Sequence, residues 1–141
     1  YKETDIKKTV DGDYRAPETV FIFKEENIMK KIEIVTRPEK LVGLKEVLAS
    51  HNCMGMTVFS VMGCGRQKGY LPEMNFTGED INLLPKIMAF VVVEDDVVED
   101  ILVDITATIG TGKNGDGKIF VTDVLEAVRV RTNERDSDAI G

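Results

Sequence analysis

A chain of 141 residues with a net charge of −7 fits one compact domain plus a tail, and a domain of that size buries about two-thirds of its unfolded surface without covalent staples. Two cysteines, Cys53 and Cys64, are too few for a disulfide framework or a cysteine metal site; no apolar run nears the roughly 18 residues of a membrane span, and no leader pattern opens the chain, so a cytoplasmic, non-membrane protein is expected. The acidic balance argues against nonspecific nucleic-acid binding, which needs a basic face, but leaves room for a small anion held by local lysines and glycine amides.

Residues 1–28 are mostly charged and polar around one apolar island, VFIF at 20–23. They read as an N-terminal extension: a mobile tail, an added strand or appended material. The organised domain is expected over 29–141. KKIEIVTRP reads as a strand stopped by Pro38, which suits the first position of a helix because no amide hydrogen is needed there. In EKLVGLKEVLAS, Leu41, Leu44 and Leu48 share one helical face. His51, the single histidine, falls at the end of that helix, a poor place for a Ser-His-Asp triad. MTVFSVMGCG is a second strand, ended by Gly63 and Gly65.

The segment RQKGYLPEMNFTGEDINLLP has no sustained period, and loops longer than about 12 residues are usually functional or disordered. KIMAFVVV, 86–93, is apolar nearly throughout, as expected of a strand covered on both faces. Asp96, with Glu99 three positions on, reads as an N-cap worth about 1 kcal/mol. Val97, Val98, Ile101, Leu102, Ile105 and Ile109 form the apolar stripe of the helix that follows, and Gly110 and Gly112 end it. KIFVTDV is a fourth strand, and AVRVRT a short extended segment. The two halves echo each other, KKIEIVTRPEKLVGLKEVL against PKIMAFVVVEDDVVEDILV. The order is the split βαβ pattern of a ferredoxin-like α+β sandwich, βαββαβ. Its two helices cover one sheet face, yet Met88, Phe90 and Val92 make the other face apolar too, which predicts self-association.

The loop TGKNGDGKIF, 111–120, holds three glycines, two lysines and an acid ahead of the fourth strand. Gly112, Gly117 and Lys118 fit G-x-x-x-x-G-K, but the next residue is Ile119 where a P-loop needs Ser or Thr for magnesium. A P-loop also leads from a strand into a helix, and this loop leads from a helix into a strand. A P-loop NTPase is excluded on both counts. Phosphate binding is not, since glycines let successive amides turn toward an anion while Lys113 and Lys118 supply charge. The competing reading is an ordinary αβ connection with solvated lysines. Two further basic clusters favour an anion site. RVRTNER places Arg129 and Arg131 two apart, on the same side of an extended segment, where they suit phosphate unless Glu134 or Asp136 pairs with them. GCGRQKG, 63–69, is again glycine-rich and basic at a strand end.

GRQKG (65–69), LPK (84–86), TGKNGDGKIFV (111–121) and VRVRTNER (128–135), in this order and spacing, resemble the PII nitrogen-regulatory signal proteins, and VTRPEKL and GMTV match as well. The likeness runs from Met29 to Ile140. It implies a homotrimer of ferredoxin-like subunits that binds ATP or ADP in clefts between subunits and senses 2-oxoglutarate together with Mg-ATP. It also implies a long flexible loop that acts on a partner such as an ammonium transporter, a nitrogen-assimilation enzyme or a nitrogenase. Such a protein is a sensor and not an enzyme. By position, the resemblance implies that Gly115, Asp116, Gly117 and Lys118 wrap the phosphates, with Thr111, Gly112 and Lys113 leading in and Arg129 and Arg131 reaching across from the neighbouring subunit. Thr57, Gly63 and Val92 would line base and ribose, and Arg66 would sit at the base of the long loop beside the nucleotide. Gln67 would ligate Mg2+, and Gln67, Lys68, Gly69 and Lys86 would hold 2-oxoglutarate.

Several positions depart from the family pattern. Glu79 stands where a modified tyrosine is usual, which puts uridylylation in doubt, and Asn75 or a neighbour replaces an arginine that enters ammonium channels. Phe90 replaces a glutamate near the nucleotide cleft, and Asn114 an apolar residue. Met74 and Phe76 with Glu73, Glu79 and Asp80 point to a different docking target, as in a nitrogenase-regulating or divergent branch. Two rival readings remain: a weak ATPase, which lacks an obvious base, and an ATP/ADP sensor blind to 2-oxoglutarate, which Gln67 and Lys86 argue against.

Overall fold

The computed structural model describes residues 29–53, 55–65 and 83–141. Four strands form one antiparallel sheet in the order β2-β3-β1-β4: β1 Met29–Thr36, β2 Thr57–Gly63, β3 Leu84–Glu94 and β4 Lys118–Val124. Both β2 and β1 run antiparallel to β3, so they are parallel to each other with β3 between them; β3 and β4 flank β1 in the same way. Each parallel pair is bridged by a helix, α1 Leu41–Ser50 or α2 Val98–Ile109, which is the ferredoxin-like α+β fold expected from the echo in the sequence. The echo extends to a detail not anticipated. Each strand passes into its helix through one 3-10 turn, Pro38–Lys40 and Asp95–Val97.

Those turns correct the expected helix starts. Pro38 opens the 3-10 turn and not the α-helix, and α2 begins after Val97, with no side chain capping it. Asp95 and Asp96 lie in the turn, and Glu99 and Asp100 in the first turn of α2, so acidic charge near the positive helix end replaces a specific cap.

Pleating divides β3 cleanly. Ile87, Ala89, Val91 and Val93 are buried under the helices, while Met88, Phe90 and Val92 face the other way and are half-buried. Ile32 and Ile34 of β1 join the first set, with Leu44, Val47 and Leu48 from α1 and Val98, Ile101, Ile105 and Ile109 from α2. His51 caps the end of α1 and its Nε2 lies 2.8 Å from Asp104 Oδ2, tying the two helices at the rim.

The face away from the helices is apolar as expected. Phe59 and Phe90 stack with centroids 6.2 Å apart, and Lys31 Nζ lies 4.6 Å above the Phe90 ring. Phe59 and Phe120 on this face remain 49% and 48% exposed within one chain, well above what a closed core leaves. A short helix, α3 Ser137–Ile140, ends the described chain.

Candidate functional site

The connection between α2 and β4 is shaped by its glycines. Gly112, Gly115 and Gly117 all take positive φ, at 72°, 96° and 111°. Gly117 has a second reason to lack a side chain. A Cβ there would overlap the Val35 carbonyl oxygen and lie 2.9 Å from its carbon, so the loop backbone presses directly against β1.

Asp116 is the hub of the loop. Its carboxylate accepts the Thr111 amide at 2.6 Å, the Thr111 hydroxyl at 2.5 Å and the Arg37 guanidinium at 2.7 Å. Its backbone carbonyl accepts the hydroxyl of Thr36, a fully buried residue, at 2.8 Å. These donors hold the Asp116 carboxyl far below the usual range, the Thr111 hydroxyl first, then the Thr111 amide, with Arg37 adding to them. The loop is thereby folded on itself and moored to the end of β1.

A cavity of about 530 Å³ opens against this loop. Val35, Leu84 and Phe120 give it an apolar floor, Gly63, Cys64 and Gly65 one rim, and Lys113 to Lys118 the other. Lys86, Lys113 and Lys118 bring three ammonium groups, whereas among the described residues Asp116 is the one carboxylate in the lining. Asp116 is already paired with Arg37, and among the described residues Lys113 and Lys118 enter no ion pair. Lys86 donates to the Gly115 carbonyl at 3.2 Å. A chain of net charge −7 thus concentrates positive potential at one sheet end, as a receptor for a small polyanion would.

The residues singled out in the sequence fall into separate groups. Gly63, Lys86, Lys113, Gly115, Asp116, Gly117 and Lys118 line the cavity, and Thr111 and Gly112 belong to its loop. Thr57 begins the strand that Gly63 ends, so the two are ~20 Å apart at ~3.3 Å per residue. Val92 lies toward the same far end of the sheet, opposite Lys31. Arg129 pairs with Glu134 at 2.8 Å and also donates to the Gly141 carbonyl. The segment carrying Arg129 and Arg131, 129–135, is not extended, contrary to the expectation. The Arg129 carbonyl accepts the amides of Thr132 and Asn133, closing a turn that carries Arg131, and Asn133 takes φ 59°. The matched-charge reading of Arg129 therefore holds within one chain, and Arg129 and Arg131 do not share one side of a strand. Arg66, Gln67, Lys68 and Gly69 lie outside the described residues, as does the extension 1–28.

Two residues that organise the loop were overlooked in the sequence, Thr36 and Arg37. A signal was present: a threonine and an arginine at the end of an apolar strand, immediately before a proline that fixes the chain direction. Cys53 and Cys64 are both free, and Cys64 is exposed at the cavity rim.

Fold and site together define a ferredoxin-like α+β domain with an anion-receptive glycine-lysine loop at one end of its sheet. Residues 29–134 match the family model described as nitrogen regulatory protein P-II. The chain is 45% identical over 112 residues to nitrogen regulatory protein P-II 1 of Escherichia coli K12, an alignment spanning 79% of this chain and all of that protein. Nitrogen regulatory protein P-II of Pasteurella multocida is 44% identical over the same shares of both chains. The crystal structure of Arabidopsis thaliana PII bound to citrate superposes with a TM-score of 0.65 at 30% identity, covering 80% of this chain and 92% of that one. The chain belongs to the P-II family of nitrogen regulatory proteins. Among the described residues no helix is long and apolar enough to cross a membrane.

Proposed function

We propose that this chain is a PII signal protein that works as a homotrimer, binds ATP or ADP between subunits, and responds to 2-oxoglutarate when Mg-ATP is present. Its output would be regulation of a nitrogen-metabolism partner through the segment joining β2 and β3. The observation that carries this reading is the cavity beside the loop, where three lysines and glycine-rich backbone surround the already neutralised Asp116 carboxylate. Lys113 and Lys118 would meet nucleotide phosphates, and each charged contact of this kind contributes about 1.5–3 kcal/mol. Lys86 would pair with a carboxylate of 2-oxoglutarate, exchanging its bond to the Gly115 carbonyl for a charged partner.

Two features support the multimeric part. The sheet face opposite the helices is apolar and partly exposed, and a second copy would cover it. Thr57 and Val92 lie toward the other end of the sheet, so a nucleotide touching them and the loop would lie across a boundary between copies. Among the described residues no group of three His, Cys, Asp or Glu side chains comes together to hold a metal. Magnesium in this reading enters with the nucleotide, with Gln67 as a ligand, and offsets the repulsion between polyphosphate and dicarboxylate. Asp116, the carboxylate in the cavity lining, is fully engaged and cannot serve as a general base, which favours a sensor over an ATPase.

Isothermal titration of the full chain tests the reading. ATP and ADP should both bind and compete, and 2-oxoglutarate should give heat only with Mg-ATP present. Lys118→Ala should weaken ATP about tenfold or more, in line with a lost charged contact. No ATP heat at micromolar protein would refute it. ATP binding with no 2-oxoglutarate response would instead leave an ATP/ADP sensor.

A further inference from the structure

The geometry points to Arg37 as a positioning residue for phosphate recognition: without touching ligand, it holds the glycine loop in its binding shape and cancels the Asp116 carboxylate in the cavity. The inference rests on the nucleotide reading above and adds to it a residue outside the cavity lining.

Arg37 stands where the central strand ends. β1 is paired along both edges, to β3 and to β4, so its end is an anchored point. Pro38 restricts the residue before it to extended backbone, and Arg37 has φ −73° and ψ 146°. The Thr36 side chain turns under the loop to bond the Asp116 carbonyl, and the Arg37 side chain reaches the Asp116 carboxylate at 2.7 Å and the Thr111 hydroxyl at 3.5 Å. One arginine therefore meets both residues that close the loop on itself. Main-chain amides recognise an anion well only when they are already aimed at it, and a loop that must be ordered on binding loses affinity.

Arg37 also acts through its charge, independently of loop shape. Without Arg37, Asp116 would face an incoming polyphosphate as an unpaired anion among the cavity residues. Lysine could restore the charge but not the geometry: both loop bonds leave Nη2 while Nη1 lies 3.7 Å from Glu39 Oε1, two directions that a planar guanidinium fixes and a point-like ammonium does not.

The test uses the full chain in three forms: wild type, Arg37→Ala and Arg37→Lys. Affinities for ATP and for adenosine are measured by NMR titration, and amide hydrogen exchange is followed at Gly115, Asp116, Gly117 and Lys118 without ligand. Arg37→Ala should weaken ATP tenfold or more while changing adenosine less than twofold, and should speed exchange of the loop amides while the core strands exchange as before. Arg37→Lys should recover part of the ATP affinity but less of the exchange protection. General destabilisation would instead weaken both ligands and deprotect the strands. ATP affinity within twofold of wild type, or loop amides that exchange unchanged, would overturn the inference; if Arg37→Ala fails to fold, the same two criteria apply to Arg37→Lys. If the wild type itself binds no ATP, the nucleotide reading falls, and loop exchange alone decides whether Arg37 moors the loop.

Discussion

Replacing Gly117 by alanine separates two costs that usually arrive together. Gly112 and Gly117 both hold positive φ, 72° and 111°, where an L-residue is strained by about 1–3 kcal/mol. Alanine also stiffens the unfolded chain, which returns about 0.4–1 kcal/mol, so Gly112→Ala should cost about 1 kcal/mol net. Nothing lies within 4 Å of a Cβ at Gly112. At Gly117 the Cβ would overlap the Val35 carbonyl, and Val35 cannot retreat because it is registered with Met88 on one side and Lys118 on the other. The loop must move, loosening the Thr36 and Arg37 bonds to Asp116, each worth about 1 kcal/mol or more. Gly117→Ala should therefore cost about 3 kcal/mol. With a urea m-value of about 2 kcal/mol per molar, its unfolding midpoint should fall roughly 1 M below that of Gly112→Ala. Both variants are compared at one protein concentration, since any self-association would contribute to apparent stability. Equal midpoints would refute the claim that the loop is pressed against β1.

Two other outcomes are expected. Asp116 has a depressed folded pKa, so its contribution to stability is present above the ordinary unfolded value of about 3.9 and fades as pH falls below it toward the folded value. Carbon-detected NMR should find it still ionised at about pH 3, and Asp116→Asn should flatten the acid limb of the stability curve. On the open sheet face, Phe90→Asp would place a charge where Phe59 and Lys31 now meet an aromatic ring. Under the proposed assembly, sedimentation velocity should show an oligomer for the wild type and monomer for this variant, with unchanged far-ultraviolet circular dichroism.

Periodicity carried the sheet and helices because burial on one face leaves a direct imprint. The strand read from KIFVTDV coincides with β4, and the alternation of Ile87, Ala89, Val91 and Val93 against Met88, Phe90 and Val92 is the pleat of β3. What failed to show was decided by partners distant in sequence. Asp96 has the chemistry of a cap, but a 3-10 turn inherited by both halves of the fold sets where α2 starts. Arg131 reads as part of a short extended segment, yet the chain turns at 130–132 because the Arg129 carbonyl finds amides three and four residues on. Arg37 is separated from Asp116 by 79 positions, and only the folded sheet brings them together. The glycine spacing of the loop was legible, whereas the mooring that gives it one shape was not.

In the proposed nucleotide reading, the open face and a site divided between the two sheet ends are one problem viewed twice. Cavity and loop lie at the Gly63 and Leu84 end of the sheet, while Thr57 and Val92 lie toward the other end. One copy cannot bring these ends together, because ~20 Å of paired strand stands between them. A neighbouring copy can, by setting its far end beside this cavity, and the same approach would cover Phe59 and Phe120. If the contact joins unlike surfaces head to tail, it generates a ring when the rotation closes, with one cleft per boundary and as many clefts as copies. In such a ring nucleotide binding and assembly become a single linked equilibrium. A ligand bridging two copies would stabilise the ring by about 2.7 kcal/mol per site at a hundred times its Kd. The apolar face would then supply the contact area and the lysine loop the response to ligand, so that loss of either would weaken both.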